Sequence, residues 1–573
     1  MTLSHATPQD RRRFWLLMLI ALVVVGAGIG LRDPWPSDEP RFTLAAKQMV
    51  EGGDWLFPHR GSELYADKPP VLMWTEAASF EVVRNWRIAF LLPSLLAALG
   101  TLALVYDLGR RLWSRQAGLY AAAGLLLAFQ FVYQTKRAQI DPLVMFLITA
   151  GNWGLLRHLL LGPNWRAYWL GCFCAGLGVI TKGVGFLPLL LLLPYAFALR
   201  RGWDGVVRMG PGQAMRWWLG LLAVLAAIAL WLVPMLLAAR AHAGNPAYAA
   251  YVRDILFHQT ADRYAKSWGH IHSPLYYVPI VLFSWLPLSL TYPGTLPRWW
   301  RALKARDARM LLPLAWVALV LVFFSIPAGK RDVYILPALP MVALASAPFL
   351  DELMRMRWLR TAGLVFVGLF GTLLLVVGAY ALLATPEAAT QWALDRGFAG
   401  VRALWWWLAA IGATQLLLVA ALRLRRAAWA VGGGMVALWL GWSFGIAPLL
   451  NQSSSAAGLM ARVAARMQPG DAVGLVAWKE QNLLMLDRPE VDFGFTRPWP
   501  QQYAAAVAWQ AADPAHRWLF VQEPAMGHCV RRDRAIDVGP ANRREWWMFK
   551  ADAVIAGCLP DPSAESADAS VPE

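Results

Sequence analysis

A chain of 573 residues that is 58% hydrophobic, with a mean hydropathy of +0.43, is too apolar for a soluble globular protein. Its net charge of +17 would suit a nucleic-acid partner. The basic residues, however, sit in short linkers on every second connection between apolar runs, as the positive-inside rule requires. The charge therefore indicates membrane topology, and we expect no nucleic-acid partner.

The apolar residues form continuous runs of about 17–25 residues, the length at which a helix crosses a bilayer. Continuous rather than alternating runs favour helices over barrel strands. We predict about thirteen spans, at 14–31, 87–106, 117–134, 141–160, 167–181, 183–199, 217–239, 274–292, 310–327, 333–350, 361–384, 404–422 and 427–449. The first follows an arginine triplet and lacks a convincing cleavage site, so we interpret it as a retained signal anchor.

With the N-terminus inside, the long connections 32–86 and 240–273 and the segment after residue 450 lie outside the cell membrane. Both connections are polar and rich in acids, bases and aromatic residues. Loops held by a rigid scaffold often carry function. We therefore expect the chemistry at the outer face, mainly in the first loop.

The first loop opens with Ser37-Asp38-Glu39-Pro40-Arg41, at the start of an amphipathic helical pattern. Helical spacing puts Asp38 and Arg41 on one face. Two interpretations stay open for Asp38 and Glu39. They are acids of a functional site, or they merely cap a helix.

Further along the loop, Tyr65-Ala66-Asp67-Lys68 runs into two prolines, which fix an extended backbone. An amine on such a segment at the membrane surface suits a phosphate, and the alternative is a solvated turn. The fourth predicted span begins with Asp141, beside a proline that also suits a plain helix start. Lys182, in a very short outer turn, is interpreted as a candidate snorkelling lysine.

The remaining outer connections add two groups of polar residues. The fourth outer loop offers His258 and Arg263, and Lys330 lies in a tight outer turn. His258 and Asp67 together would make a partial metal site, although their spacing is non-local. Acids and bases thus gather at one membrane boundary, as a membrane-borne phosphate substrate would require.

The polar segment 451–559 predicts a small extracytoplasmic α/β domain after a membrane domain at 1–450. Helical spacing at 456–467 and 503–512 alternates with strand-like runs at 472–478 and 517–522. The acidic tail 560–573 is predicted to be disordered. Cys529 and Cys558 are able to form a disulfide if this region lies outside the cytoplasm.

Three motifs together resemble the bacterial lipid A aminoarabinose transferases. They are Asp38-Glu39-x-Arg41, Tyr65-x-Asp67-Lys68-Pro-Pro and Arg137-x-x-x-Asp141-Pro. The wider relatives are the protein O-mannosyltransferases and other polyprenyl-phosphate-dependent enzymes of the GT-C fold. The motif order matches over residues 10–350, and beyond it the resemblance is one of architecture. The implied fold is a GT-C membrane domain of about thirteen helices with the outer α/β domain.

The resemblance implies an inverting transfer of a sugar from undecaprenyl phosphate to lipid A, another glycan or a protein at the periplasmic face of the bacterial inner membrane. Asp38, Asp141 and Glu39 are then the candidate catalytic acids. Five residues are expected at the carrier phosphate, namely Arg41, Lys68, Arg263, Tyr65 and Lys330. Asp67 and His258 occupy positions where relatives hold a divalent metal, although relatives often have Glu where this chain has Asp67. We expect the protein to act as a monomer among membrane lipids.

Rival interpretations remain. A protein O-mannosyltransferase-like or polysaccharide-modifying enzyme would share the motifs. A transporter or flippase of the lipid-linked sugar would need ionisable residues near the middle of the spans, whereas here they concentrate at one face. A purely structural membrane protein would leave the clustered acids and bases without a role.

Overall fold

The computed structural model describes residues 8–257, 272–398 and 400–568. Within these ranges, nine helices are long and apolar enough to cross a membrane. They are Trp86–Leu112, Ile140–Leu161, Val184–Arg201, Ala214–Ala241, Ala308–Ser325, Asp332–Arg355, Arg357–Ala384, Val401–Leu422 and Leu424–Ser454. Two helix pairs meet the same requirement only jointly, Arg115–Leu127 with Phe129–Thr135 and Pro274–Ser284 with Leu288–Lys304. The described residues thus contain nine spans, or up to eleven.

The expected number of about thirteen is higher than this. The two predicted spans that fall short are helices, but they are more polar than the others. Residues 14–31 correspond to Pro8–Gly26, which carries the arginine triplet in its first turns. Residues 167–181 correspond to Trp165–Lys182, with a basic residue near each end. The other predicted spans all overlap a helix or bent pair of the structure, so the order of apolar elements is as predicted.

Two spans form the centre of the helical bundle and two others its rim. Of the most apolar 18 residues of each span, 78% are buried in Ile140–Leu161 and 83% in Asp332–Arg355, against 22% in both Ala214–Ala241 and Arg357–Ala384. Since lipid tails are as apolar as leucine, close packing rather than burial from water joins the inner helices. A Cβ on Gly154 would lie 2.2 Å from the carbonyl oxygen of Ala167, so only glycine permits this approach of neighbouring helices.

The two bent pairs are joined to each other at their breaks. One pair bends by 67° at Ala128 and the other by 92° near Leu286. The backbone amide of Phe129 donates a hydrogen bond of 2.8 Å to the carbonyl of Leu286. Backbone groups that lose their helical partner inside lipid need another hydrogen-bond partner. Here the amide at one break is paired with the carbonyl at the other.

The first loop folds into helices and a small hairpin. The Glu39 helix (Glu39–Gly52) confirms the amphipathic helix predicted at its start, and it buries Phe42, Ala45 and Met49. Strands β1 (His59–Arg60) and β2 (Glu63–Leu64) then pair antiparallel. The helix Val71–Val83 leads to Trp86–Ala89, which forms the start of the span Trp86–Leu112. Short helices also occur at Pro246–Arg253 and Glu387–Asp395.

The C-terminal segment confirms the predicted α/β domain. Five strands form one sheet in the order β4-β3-β5-β7-β6. They are β3 (Ala472–Val476), β4 (Glu490–Asp492), β5 (Arg517–Gln522), β6 (Ile536–Ala541) and β7 (Arg544–Phe549). Strand β3 runs parallel to β4 and β5, whereas β7 runs antiparallel to β5 and β6. The accompanying helices are Ala457–Ala464, Glu480–Met485, Trp499–Ala511 and Glu523–Met526.

Two features near the C-terminus bear on the predictions. Cys529 and Cys558 form a disulfide. The tail predicted as disordered over 560–573 contains a helix at Ser563–Asp568, so that prediction is wrong for these residues. The helix is fixed by Glu565, whose carboxylate accepts a 3.2 Å hydrogen bond from the backbone of Trp499.

The α/β domain is docked on the first loop. The backbone and hydroxyl of Ser62 donate hydrogen bonds of 2.8 and 2.7 Å to the carboxylate of Asp492. Glu63 accepts from the backbone and hydroxyl of Thr496. At the end of the last span, the side-chain oxygen of Asn451 accepts from the backbone amide of Asp33 and the indole of Trp35. The first loop is therefore held between the bundle and the C-terminal domain.

Candidate active site

Asp38 is held by side chains rather than by the helix that follows it. It directly precedes the Glu39 helix, but its side chain makes no capping hydrogen bond. One carboxylate oxygen accepts a 3.0 Å hydrogen bond from Gln139 and lies 3.6 Å from a terminal nitrogen of Arg331. The other oxygen lies 3.9 Å from a terminal nitrogen of Arg41. Of the two interpretations left open, this setting favours an acid of a functional site.

Glu39 has the opposite setting. It is 1% exposed, and its two oxygens form a bidentate pair with Arg32 at 2.5 and 2.7 Å. The same oxygens accept from the backbone amides of Trp35 and Ala138. Burial alone would raise the pKa of the Glu39 carboxyl, but Arg32, with smaller contributions from Arg137 and the backbone of Trp35, outweighs burial, and the pKa is lowered. This charged, fully partnered carboxylate suits a structural joint between the first loop and the start of Ile140–Leu161 better than a catalytic role.

Asp141 pairs with Lys182, the lysine of the very short outer turn. The ammonium of Lys182 also lies 4.9 Å from the centre of the Tyr334 ring. Lys182 therefore has a specific partner at the candidate site, beyond the snorkelling interpretation.

Arg331 connects the two acids. Its burial alone would lower its pKa, but the nearby carboxylates of Asp38 and Asp141 outweigh burial and raise it. One half-buried guanidinium thus lies in the field of both candidate acids. The structure brings together the acids of the first loop and of the fourth predicted span around a cation from a third segment.

Arg41 faces the C-terminal domain as well as Asp38. Its Nε donates a 2.8 Å hydrogen bond to Glu480, and the Arg60 guanidinium lies 3.6 Å from the same Glu480 oxygen. Burial alone would lower the pKa of Arg41, but Glu480 and then Tyr65 and Asp38 raise it. Arg41 therefore stays charged where the Glu39 helix, strand β1 and the C-terminal domain meet.

Tyr65 and Lys68 complete the part of the site that the first loop supplies. Tyr65 is 2% exposed, and burial raises the pKa of its hydroxyl, with Arg41 opposing and Asp67 adding to the rise. The Lys68 ammonium donates a 2.9 Å hydrogen bond to the carbonyl of Asp67. Tyr65, Arg41 and Asp67 are thus close enough to influence each other's charge, as the grouping of the motifs predicts.

Lys330 has a different setting from the one predicted. It is 2% exposed, and its ammonium donates to the backbone carbonyls of Pro327 and His272 at 2.5 and 3.1 Å. These bonds hold the turn before Asp332–Arg355. The neighbouring Arg331, which the sequence did not single out, takes the position beside the acids.

Lys136 is a half-buried cation that directly follows the helix Phe129–Thr135. Its ammonium donates to the carbonyls of Val25 and Ala27 at 3.3 and 2.9 Å. Burial, with a smaller contribution from Arg32, lowers the pKa of Lys136 to about 7. It therefore titrates near neutral pH.

Arg263 and His258 lie outside the described residues. In the described ranges, the one group of three side chains with metal-ligand spacing is His528, Cys529 and Cys558. Both cysteines are joined in the disulfide and cannot serve as thiolate ligands. Asp67 belongs to no such group among the described residues, and its predicted partner His258 lies outside them.

Sequence reasoning missed Arg331, Arg60 and Glu480. Arg331 carries a weak signal, since it adjoins a lysine that was singled out. Glu480 lies 439 positions from Arg41 and in a different domain. Neither its spacing nor its local pattern distinguishes it from an ordinary acid at the start of a helix.

The comparisons with known proteins give a partial match to one family model and longer matches to a second group of enzymes. Residues 67–233 match the family described as dolichyl-phosphate-mannose-protein mannosyltransferase. The undecaprenyl phosphate-alpha-4-amino-4-deoxy-L-arabinose arabinosyl transferase of Pseudomonas aeruginosa is 31% identical over 396 residues, which are 66% of this chain and 67% of that protein. The enzyme of the same name from Pseudomonas savastanoi pv. phaseolicola is 29% identical over 436 residues, 70% of this chain and 76% of that protein.

A solved structure gives the fold. The crystal structure of ArnT from Cupriavidus metallidurans bound to undecaprenyl phosphate superimposes with a TM-score of 0.72 at 20% identity, covering 93% of this chain and 97% of that one. Its apo state matches equally, with a TM-score of 0.72 at 22% identity, covering 95% and 99%. The expected GT-C architecture is confirmed. The chain belongs to the family of the undecaprenyl phosphate-alpha-4-amino-4-deoxy-L-arabinose arabinosyl transferases.

Proposed function

We propose that this protein is a multi-pass inner-membrane glycosyltransferase that moves 4-amino-4-deoxy-L-arabinose from undecaprenyl phosphate to lipid A or a related envelope acceptor. The observation that carries the proposal is the placement of Asp38 and Asp141 around Arg331. Family membership supports the donor and the sugar, since the relatives are named for them. The transfer is inverting, with attack on the sugar from the face opposite the phosphate.

The cations would serve the leaving group. Breaking a glycosyl–phosphate bond builds negative charge on the phosphate, and preorganised cations stabilise that charge in the transition state. Arg41 and Lys68 are the described candidates, with Tyr65 beside them and Arg263 proposed from the undescribed segment. Arg331 would lie between this phosphate and the acids.

The acids would serve the acceptor. A hydroxyl acceptor needs a base as it attacks, and Asp38 is the candidate because its carboxylate is not used in helix capping. A phosphate acceptor already carries its negative charge, and Asp38 would then orient it. Asp141, balanced by Lys182, would be the second acid. Glu39, through its pair with Arg32, would position the segment that bears Asp38.

The working face would be periplasmic. The basic linkers on alternate connections support this orientation. So does the Cys529–Cys558 disulfide of the docked C-terminal domain, because disulfides persist in oxidising compartments. Asp67 and His258 stay a prediction for a divalent metal. A protein acceptor is the second candidate, and the match to the mannosyltransferase family over residues 67–233 favours it.

The test is transfer by the purified protein. Liposomes containing the protein, undecaprenyl-phosphate-linked aminoarabinose and lipid A should yield modified lipid A by mass spectrometry. Asp38→Asn should abolish transfer. Glu51→Gln is the matched control, because Glu51 is an exposed acid on the same helix and should keep full activity. Full activity of Asp38→Asn would refute the site, and sugar appearing on a protein acceptor instead would select the second candidate.

A further inference from the structure

The C-terminal domain reaches the candidate site through Glu480. This residue opens the helix Glu480–Met485 and is 3% exposed. One of its oxygens accepts a 2.8 Å hydrogen bond from Nε of Arg41 and lies 3.6 Å from a terminal nitrogen of Arg60. A buried carboxylate is tolerated only with partners of this kind. The position of Glu480 is therefore tied to both arginines.

The contact uses one particular edge of Arg41. A guanidinium presents five N–H groups in a rigid planar fork. Glu480 takes the Nε edge, while a terminal nitrogen stays 3.9 Å from Asp38, beyond hydrogen-bond distance. The hydrogen bond to Glu480 thus restricts the orientation of the guanidinium plane. Because the guanidinium is planar, its orientation also sets the directions of the terminal N–H groups of Arg41.

Arg60 further restricts the position of Glu480. Its guanidinium lies 3.9 Å from the centre of the Phe495 ring and 5.4 Å from that of Tyr65. Phe495 belongs to the C-terminal domain and Tyr65 to the first loop. Arg60 is therefore held from both sides of the domain junction, and it supplies the second charge that balances Glu480.

We propose that Glu480 is a positioning residue, which orients Arg41 toward the phosphate of the lipid carrier and makes carrier binding depend on the docked C-terminal domain. The proposal rests on the proposed function, because the carrier phosphate is taken as the ligand of Arg41. The chemistry is that of a carrier phosphate, a diester in the sugar-loaded donor and a monoester once the sugar has left, recognised by a guanidinium whose plane is set in advance.

The same interface offers a matched control. Asp492 also joins the C-terminal domain to the first loop, through two hydrogen bonds to Ser62. None of its described contacts involves Arg41. Asp492→Asn therefore weakens docking without touching the proposed positioning contact, whereas Glu480→Gln keeps the shape of the side chain and removes its charge.

The experiment measures binding of undecaprenyl phosphate to the full-length protein in detergent by isothermal titration calorimetry. Glu480→Gln should weaken binding about tenfold, the scale of one lost charge-assisted hydrogen bond. Asp492→Asn should bind within about twofold of the unmodified protein, a change too small for such a loss. In the double variant with Arg41→Ala, Glu480→Gln should have no further effect, because Glu480 acts through Arg41. Melting temperatures show that the variants are folded, and Glu480→Asp, which shortens the side chain, should weaken binding as well.

Three results would overturn the proposal. They are unchanged binding in Glu480→Gln, equal weakening in Glu480→Gln and Asp492→Asn, and additive effects in the double variant. Failure of the proposed function looks different. The protein would then bind undecaprenyl phosphate with the expected dependence on Glu480 but transfer no sugar from the loaded carrier.

Discussion

Arg331 lies 3.6 Å from Asp38, although the first belongs to a tight turn before a central span and the second to the first loop. The charge of Asp141 also raises the pKa of the Arg331 guanidinium. Three segments that are distant in sequence thus meet at one cation. This arrangement makes Arg331 the cation that lies in the field of both candidate acids.

Arg331→Gln should lower kcat/KM for sugar transfer about 100-fold, the scale of removing one preorganised group from a charged transition state. The measurement is the initial rate of lipid A modification by mass spectrometry. The control is Arg355→Gln. Arg355 is an exposed arginine at the end of the span that follows the turn, and it pairs with Asp351. Similar activity in the two variants would contradict the role of Arg331.

Lys182→Met should reduce kcat/KM about tenfold, because it leaves Asp141 without its nearest counter-charge. Asp141→Asn should reduce kcat/KM by a larger factor. The double variant should be no worse than Asp141→Asn alone, since Lys182 acts through that acid. The measurement is the same rate assay on the four proteins of the cycle. Independent, multiplying losses would show that the pair is not a unit.

Glu39→Gln should destabilise the protein by about 3–5 kcal/mol, because it leaves Arg32 charged and buried without its partner. Glu81→Gln is the control, since Glu81 pairs with Arg84 at an exposed site of the same loop and should cost about 0–1 kcal/mol. Unfolding in detergent, followed by tryptophan fluorescence, measures both. A smaller loss in Glu39→Gln than in Glu81→Gln would contradict the structural role of Glu39.

Lys136 should make stability depend on pH above neutrality. Its pKa is about 7 in the folded protein and 10.5 at its ordinary value. Between these pH values the unfolded chain holds a proton that the folded chain has released. Folding is therefore favoured as the pH rises, by about 1.4 kcal/mol per pH unit. Below pH 7 both states hold the proton and the contribution is constant.

The check on Lys136 compares unfolding free energies of the unmodified protein and Lys136→Met from pH 6 to 10. The difference between them should be flat below pH 7 and should then change in favour of the unmodified protein. Lys304→Met, at an exposed lysine, controls for the loss of a lysine side chain as such. Parallel curves for Lys136→Met would refute the lowered pKa.

Much of the architecture could be predicted because apolar runs and basic linkers directly reflect the bilayer. The α/β domain was also predictable in part, since β5 coincides with the strand-like run at 517–522. Strands β6 and β7 were missed. Their turn places Asn542 and Arg543 at positive φ, the backbone of a tight hairpin turn, without the glycine that usually announces it.

The site was predictable only where its residues share a motif. Asp38, Lys68 and Asp141 stand in local patterns, so spacing and resemblance singled them out as candidates. Glu480 acts only through a contact across the domain junction, which local sequence cannot encode. Lys330 and Arg331 are adjacent in sequence but differ in partner. The fold of the turn, not the residue type, decides which of them meets the acids.

Asn451 has a consequence for the order of events during synthesis. The ribosome makes the first loop early, yet Asp33 and Trp35 are secured by a residue at the end of the last span. Glu480, the hydrogen-bond partner of Arg41, is synthesised later still. A nascent chain therefore inserts most of its spans before the loop that bears Asp38 is assembled. The contacts that hold the first loop in place therefore form only after nearly the whole chain has been made.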